Sequence, residues 1–293
     1  MAKDYSELTF TDDFMFCHIL VENEDLCIEL VELITGRKVR KIVRMHTQKA
    51  VQISANGKGV RFDVYFEGDK NVYDIEMQTT DTGELRHRIR YYQAMIDMDH
   101  INSGGKYRDL KNSSIIFICT FDLFKKGLHK YTFHNACEED PTVILSDGTE
   151  KIFLCAGGDA DDCSPKMKAF LEYISQKRVT DDFSKRLENE VQKALKLEEW
   201  RSGYMTWNMM QDELIEKGRE EGRAEGREEG RVEGREEGRV EGREEGRVEG
   251  REEGRVEGRI EGALEKTYEI FKNMIADGIS EERAMKLSGY KPA

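Results

Sequence analysis

The chain has 293 residues, of which 36% are charged and 38% hydrophobic, and its net charge is −13. This length allows one core domain with appendages, and the acidic balance counts against a protein that binds nucleic acid tightly and without specificity, which usually requires a basic face. We expect a cytoplasmic protein with reduced thiols, no membrane span and no structural zinc site, because the six cysteines are scattered and no long apolar run or apolar signal region is present.

Two helices are predicted within residues 6–36. Apolar side chains recur at helical spacing in two runs, residues 10–20 and 26–34. Asn23 interrupts the pattern and is a plausible N-cap for the second helix. Gly36 is a natural stop for that helix.

Residues 39–78 have the pattern of β-strands. The last two strands alternate between apolar and polar side chains on either side of a turn, which predicts a hairpin. The predictions are strands at 39–43, 50–53, 60–66 and 72–78, with turns at 56–59 and 68–71.

The next segments continue the alternation of helices and strands. A helix is predicted at 84–102, and the continuous apolar run at 114–120 is typical of a strand that is covered on both faces. Strands are also expected at 130–133 and 151–154, and residues 165–200 have the spacing of amphipathic helix. This order predicts an α/β fold with a central mixed sheet flanked by helices.

Glycine recurs every fourth residue between Gly218 and Gly262, in units that read Gly-Arg-Glu-Glu-Gly-Arg-Val-Glu. The spacing is close to the helical period, so a helix would carry the glycines on a slowly drifting ridge. Pairs such as Glu220 and Arg223 contribute only about 0.2–0.5 kcal/mol each, whereas each glycine costs about 1 kcal/mol relative to alanine. Two alternatives stay open: a solvated, fraying linker, or a repeat helix (a coiled coil) through which the chain forms a homodimer.

Two short amphipathic helices are expected after the repeat, at 264–275 and 280–287. Ser280 is in position to cap the second helix. A DNA-reading helix-turn-helix is the less favoured interpretation of this pair, because small helical hairpins are common.

Asp63 and Glu76 are the candidate site residues that the strand pattern provides. They lie on the two strands of the predicted hairpin, each between apolar neighbours. A carboxylate in so apolar a strand costs free energy unless it is paired or bound to a cation. Two such carboxylates that face the same way suit Mg²⁺ or Mn²⁺. Spacing alone favours the simpler interpretation, in which both face solvent on the polar side of an ordinary hairpin.

The segments from Phe62 to Val64 and from Asp74 to Gln78 resemble the metal-binding signature of the PD-(D/E)XK nucleases. More narrowly, residues ~8–155 resemble the Rpn family of recombination-promoting nucleases and transposases. Tails of Gly-Arg-Glu repeats are also typical of this family. The supporting segments, in chain order, are Asp13-Phe14, Ile75 to Gln78, Arg90 to Gln93, Gly105 to Leu110, and Ile115 to Ile118 with Asp122 soon after.

The resemblance implies an α/β fold with a PD-(D/E)XK restriction-endonuclease-like core, whose central mixed sheet is flanked by helices. A long Gly-Arg-Glu repeat helix and a small helical tail would follow this core. The predicted domains are a nuclease-like domain at 1–160, a helical extension at 161–217, the repeat linker or helix at 218–262 and the helical tail at 263–293.

The resemblance also implies a metal ion, Mg²⁺ or Mn²⁺, held by Asp63, Glu76 and the backbone carbonyl of Met77. The ion would lower the pKa of a bound water and stabilise charge on a phosphate. The usual lysine of the motif is replaced by Gln78, which can orient water but cannot neutralise charge. The candidate substitutes for that charge are Lys58 and Lys70.

The helix at 84–102 supplies further candidate residues. Gln93 matches a family position that is expected to face the site, although it could also be an ordinary amide on the helix surface. Arg86 and Arg90 are expected to contact DNA phosphates. Arg88 lies between them and could also contact phosphates, but residues at alternate helix positions do not all share a face, so only two of the three arginines are expected to do so.

The leading hypothesis is a Mg²⁺-dependent DNA endonuclease linked to recombination, mobile elements or defence. The alternative is a catalytically weak nuclease-fold scaffold that acts through C-terminal self-association, which Gln78 and the acidic charge favour. Nothing in the sequence indicates strand transfer, which a transposase in the strict sense requires. The expected partners are DNA and a second copy of the chain, and not a membrane.

Overall fold

The computed structural model describes residues 3–52, 58–68, 70–101 and 104–292. It contains two units, Met1–Gln211 and Asp212–Ala293. The elements in chain order are α1 (Asp13–Glu22), α2 (Glu24–Thr35), β1 (Arg44–Val51), β2 (Val60–Glu67), β3 (Asn71–Gln78), α3 (Leu85–His100), β4 (Asn112–Cys119), β5 (Lys130–Phe133), β6 (Thr149–Cys155), α4 (Pro165–Gln176), α5 (Asp182–Ala194), α6 (Glu198–Ala276) and α7 (Glu281–Ser288).

The strands form one mixed sheet in the order β1-β2-β3-β4-β6-β5. β1, β2 and β3 pair antiparallel, β3, β4 and β6 pair parallel, and β5 returns antiparallel to β6. α3 connects β3 to β4, because two parallel neighbours need a crossover connection. The predicted α/β core with a central mixed sheet flanked by helices is therefore confirmed.

Both faces of the sheet are covered by helices. Side chains of α1, α2, α4 and α5 form one apolar layer with Val64, Ile75 and Ile116. Side chains of α3 form the other with Phe62 and Phe117. Full burial of one such side chain stabilises the fold by about 1.5–3 kcal/mol. The two layers therefore fix β2, β3 and α3, the elements that carry the candidate site residues.

The first helix begins later than the pattern predicted. The chain before it contains a short 3₁₀ turn at Tyr5–Glu7. Asp12 Oδ2 then accepts hydrogen bonds from the amide and the hydroxyl of Thr9, at 2.7 and 2.9 Å, and holds a turn ahead of α1. Asn23 separates the two helices as predicted, but its side-chain amide donates to the carbonyl of Ile19 at 2.8 Å and makes no capping bond to α2.

The strand predicted at 39–43 is wrong. The carboxylate of Glu32 accepts the backbone amide of Val39 at 3.0 Å and pairs with Lys38 at 2.6 Å, so this stretch is tied to α2. The first strand is instead β1, which includes the start of the strand predicted at 50–53. The predicted strand, turn and helix residues that lie outside the described part of the chain are Ile53, Asn56, Gly57, Asp69 and Asn102.

The amphipathic span at 165–200 contains two helices and the start of a third. α4 ends at Gln176, and its C-cap residue, Lys177, has a left-handed φ of 58°. α5 begins after Asp181, whose carboxylate accepts the amide of Ser184 while the Ser184 hydroxyl accepts the amide of Asp181. The strands predicted at 130–133 and 151–154 are confirmed as β5 and β6.

The repeat at 218–262 lies wholly within α6, as the helical alternative predicted. A Cβ atom added at any of its glycines would meet nothing within 4 Å. Its valines are between 50% and 60% exposed. Ion pairs at i,i+3 recur every eight residues, at Glu228–Arg231, Glu236–Arg239, Glu244–Arg247 and Glu252–Arg255.

The helix predicted at 264–275 is the last part of α6, and the helix predicted at 280–287 is α7. Ser280 is the N-cap residue of α7, but its side chain makes no capping bond. The ring of Tyr290 lies 5.0 Å from each of the rings of Tyr268 and Phe271. No helix in the described ranges is both long and apolar enough to cross a membrane.

Candidate metal and phosphodiester site

The pairing of β2 with β3 stops one residue before Asp63 and Glu76, at Val64 and Ile75. Beyond that point, the two carboxylates accept hydrogen bonds from backbone amides of the opposite strand, in place of the backbone carbonyls of a continued ladder. The amide of Asp63 donates to Glu76 Oε1 at 3.0 Å, and the amide of Met77 donates to Asp63 Oδ2 at 3.2 Å. The carboxylates therefore lie side by side at the end of the hairpin, each bound by the backbone of the opposite strand.

The alternation of β2 is interrupted at Asp63. Phe62 packs in the layer under α3, whereas Val64, which a regular strand would place on the same face, packs in the opposite layer. Opposite Asp63 in β1, Gln48 has a left-handed φ of 48°. This distortion accompanies the turn of the Asp63 carboxylate toward β3.

Glu76 and Asp74 are buried on the face of β3 that α3 covers, with 1% and 0% of their surface exposed. The simpler interpretation, in which Asp63 and Glu76 both face solvent, is therefore wrong for Glu76, while Asp63 is half-buried. Both carboxylate oxygens of Asp74 lack a hydrogen-bond partner among the described residues.

The buried acids repel one another. Burial, followed by the charge of Asp74, raises the pKa of Glu76 well above its ordinary value. Burial and the charge of Asp63 do the same to the pKa of Asp74. A bound cation relieves this kind of strain.

Arg88, on α3, is the cation that reaches these acids. Its Nη2 donates to Glu76 Oε2 at 2.8 Å, and its Nη1 donates to Gln78 Oε1 at 3.2 Å. The guanidinium lies 5.2 Å from the ring centroid of Tyr92 and 5.3 Å from that of Phe117. From the sequence, Arg88 was expected only as one of three possible phosphate contacts, and its contact with Glu76 was not predicted.

Arg86 and Arg90, the predicted phosphate contacts, are exposed on α3. Arg86 lies over the ring of Phe124 at 5.0 Å and donates to the carbonyl of Leu123 at 3.3 Å. Arg88 lies between them in the chain and points to the sheet. The role of the two exposed arginines in DNA binding stays a prediction.

The two predicted glutamines lie at opposite ends of the parallel strands. Gln78 ends β3, and its Nε2 lies 3.5 Å from Glu76 Oε2. The amide of Gln93 exchanges hydrogen bonds of 2.7 and 3.0 Å with Ser113 Oγ and donates to Asp97 at 3.1 Å. Ser113 lies near the start of β4, whereas Gln78 is in register with the last residue of that strand. The structure thus brings Gln78 to the carboxylates and engages the amide of Gln93 elsewhere.

Asp13, the first residue of α1, is a fourth acid of this site, and it was not predicted as a site residue from the sequence. After burial, the charges of Glu76 and Asp13 raise the pKa of Asp63 well above its ordinary value. Arg61 attracts the carboxylate of Asp13 electrostatically and donates to Gln211 Oε1 at 3.1 Å. No local pattern reveals this approach, because Asp13 and Asp63 are brought together only by the packing of α1.

The charges of this cluster do not balance. It contains four carboxylates, Asp13, Asp63, Asp74 and Glu76, against two arginines, Arg61 and Arg88, which is a net charge of −2 when all are ionised. The acidic donors are all oxygen atoms, the ligand type that Mg²⁺ and Mn²⁺ prefer. Asp63 and Glu76 therefore offer oxygen ligands of the kind that a hard divalent cation prefers, with the charges of Asp13 and Asp74 nearby.

A second group of possible ligands lies elsewhere, at His129, Asp162 and Cys163, whose ligand atoms lie within 4.8 Å of one another. Here the Asp162 carboxylate accepts the backbone amide of His129 at 3.0 Å, and its other oxygen lies 2.6 Å from His129 Nδ1. These bonds satisfy the carboxylate without an ion, in contrast to the unpartnered oxygens of Asp74.

The model of a family described as PD-(D/E)XK nuclease family transposase matches residues 11–154. The matched range includes every acid and both arginines of the cluster. No curated protein matches the chain.

Proposed function

Residues 11–154 of this chain belong to the PD-(D/E)XK nuclease family transposases, and on that premise we propose that the protein is a metal-dependent DNA endonuclease. The observation that carries the proposal is the pair of carboxylates at Asp63 and Glu76, each held by the other strand's backbone. The unbalanced acids around them support a divalent cation as the cofactor. Recombination, mobile elements or defence is the proposed setting.

Asp63 and Glu76 are the proposed metal ligands, with the backbone carbonyl of Met77 as a third and Mg²⁺ or Mn²⁺ as the ion. When bound, the ion would supply positive charge that stabilises the phosphate in the transition state and acidifies a water molecule. The protein contributes rigid placement, because both carboxylates are fixed by main-chain amides. Such fixed ligands lose little entropy when the reacting groups assemble.

Gln78 and the arginines of α3 complete the proposed machinery. The amide of Gln78 lies beside Glu76 and can orient a water molecule, since it both donates and accepts hydrogen bonds. Arg86 and Arg90 are exposed along the same helix and are proposed to contact phosphates of the DNA backbone. The proposed role of Gln93 is to fix α3 to β4 through its hydrogen bonds with Ser113.

The proposed location is the cytoplasm, because the six cysteines are free thiols, which a reducing compartment preserves. A homodimer through the repeat helix is also proposed. Its support is the set of half-exposed valines on α6, whose apolar surface self-association would cover in part.

The test of the proposed function is cleavage of supercoiled plasmid with Mg²⁺ and with a chelator. Asp63→Asn and Glu76→Gln should reduce the rate by at least ~10²-fold, as losses of charge stabilisation at phosphate-transfer and acyl-transfer sites do. The exposed acids Asp161 and Glu84 provide the matched controls Asp161→Asn and Glu84→Gln, which should cleave like wild type. Equal nicking by the site variants and the wild type would reject the assigned site.

The second candidate function is a nuclease-fold scaffold with little catalytic power, which acts through self-association of its C-terminal helices. Gln78 favours it, because the motif lysine is missing, and so does the long exposed helix α6. A wild-type protein that binds no divalent cation, cleaves no plasmid and still self-associates would support the scaffold.

A further inference from the structure

Because Gln78 stands where the motif has a lysine, another group has to supply the positive charge beside Glu76. Lys58 and Lys70, the two candidates from the sequence, are both exposed. Lys70 precedes β3, so the length of that strand, about 25 Å at ~3.3 Å per residue, separates it from Gln78. Within the described part of the chain, Arg88 is the cation whose guanidinium contacts both Glu76 and Gln78.

We propose that Arg88 and Gln78 divide the work of the motif lysine between them, Arg88 as the charge that contacts the scissile phosphate and Gln78 as the group that orients water. This inference rests on the proposed function. The motif lysine would stand on β3 two residues after Glu76, and Arg88 reaches that same place from α3.

Two hydrogen bonds and two aromatic rings hold the guanidinium of Arg88 in place. Its two terminal nitrogens are bound to Glu76 and Gln78, and its plane lies near the rings of Tyr92 and Phe117. The side chain remains 32% exposed, although its Nε is buried and has no hydrogen-bond partner among the described residues. A planar guanidinium can hold two phosphate oxygens at once, which a lysine ammonium cannot do.

The same contacts fix the orientation of Gln78. Because Arg88 Nη1 donates to its Oε1, the Nε2 group is directed to Glu76, 3.5 Å from Oε2. Without Arg88 the amide could rotate, and a water molecule between Gln78 and Glu76 would lose its fixed partner. Arg88 is therefore also a positioning residue for Gln78.

Arg88 and a divalent cation would compete for Glu76. The carboxylate oxygen Oε2 is bound to Arg88, and both positive groups lie within the reach of one acid. Removal of the guanidinium should therefore strengthen cation binding while it weakens cleavage. A residue that only supports the fold would weaken both.

The experiment combines Mn²⁺ titration calorimetry with plasmid cleavage by the full chain. Arg88→Gln should lower kcat by about 10²-fold with little change in KM, and it should lower the Kd for Mn²⁺ several-fold. Arg88→Lys should retain much of the activity, and Arg108→Gln, at an exposed position, should match wild type in both assays. Circular dichroism and thermal unfolding of each variant check the fold.

The most specific part of the experiment is recovery of cleavage by a second substitution. Adding Gln78→Lys to Arg88→Gln returns the charge to β3 and should recover at least ~10-fold in kcat relative to the single variant. Unchanged cleavage by Arg88→Gln, weaker Mn²⁺ binding by that variant, or failure of the rescue would overturn the role of Arg88. If wild type cleaves no DNA, the endonuclease proposal is rejected separately, and the Mn²⁺ affinities still decide the competition at Glu76.

Discussion

Glu76 accepts the backbone amide of Asp63 at 3.0 Å, so one candidate metal ligand is positioned by the main chain that carries the other. The reciprocal bond from the amide of Met77 to Asp63 makes the arrangement mutual. A carboxylate that accepts main-chain hydrogen bonds is held without a long, flexible partner. The geometry of the pair is thus set by where the β2–β3 ladder ends.

Asp74 is predicted to lower the stability of the metal-free protein. Its carboxyl group is fully buried, both oxygens lack a hydrogen-bond partner in the described part of the chain, and burial raises its pKa well above the ordinary value. Asp74→Asn removes the charge and should increase the free energy of unfolding at neutral pH by about 1 kcal/mol or more. Urea unfolding in a chelator measures this, with Asp161→Asn as the unchanged control. A decrease would contradict the prediction.

Glu29 is predicted to stabilise the packing of α2 against α4 and α5. Burial alone would raise the pKa of this carboxyl, but hydrogen bonds from Lys166 and Arg186 outweigh it, and the pKa is lowered from 4.5. A lowered folded-state pKa gives stability that is present above the unfolded-state value and is lost as pH falls through the folded-state value. Glu29→Gln should therefore reduce the melting temperature at pH 7.

The difference between wild type and Glu29→Gln should shrink as the pH falls below about 4.5, the ordinary pKa of this carboxyl. Glu22→Gln, at an exposed position on α1, is the matched control and should not change the melting temperature. A difference that grows toward acid would show that the ion pairs of Glu29 are not its source.

The glycines of the repeat are predicted to weaken α6. A Cβ atom at Gly238 or Gly242 would meet nothing within 4 Å, so alanine would fit and would add about 1 kcal/mol of helix propensity at each position. Gly238→Ala with Gly242→Ala should raise the helical ellipticity at 222 nm and its melting temperature. Loss of self-association in the same variant would instead show that the bare glycine ridge is a contact between chains.

Removal of residues 218–293 is predicted to separate assembly from cleavage. The acids and arginines of the site lie within Met1–Gln211, which forms its own unit. The truncated chain should therefore cleave plasmid like the full chain. Light scattering should find a dimer for the full chain and a monomer for the truncated one. Loss of cleavage with the tail would contradict this division of roles.

Much of the core could be predicted because its signals are local. The apolar run that became β4 and the alternating hairpin of β2 and β3 depend on neighbours in sequence, and the helical spacing before β4 gave α3. The strand expected at 39–43 failed because Glu32, on α2, binds Val39, a contact that no strand pattern contains.

The candidate site could be predicted only in part. Asp63, Glu76 and Gln78 could be selected because they lie close in sequence on two predicted strands and resemble the PD-(D/E)XK signature, and their role as site residues stays a prediction. The inward position of Arg88 could also have been predicted from the sequence. The buried positions of α3, which include Leu85, Ile89 and Tyr92, place Arg88 beside the apolar stripe of that helix. The approach of Asp13 and the interruption at Asp63 arise from packing between distant segments, which local periodicity does not record.

The most direct test of the account is calorimetric titration of Mn²⁺ into wild type, Asp63→Asn and Glu76→Gln, with Glu84→Gln as the exposed control. The account predicts one saturable site in wild type and in the control, and a loss of at least ~10-fold in affinity in each of the two site variants. Equal affinity in all four proteins would contradict the assignment of Asp63 and Glu76 as metal ligands.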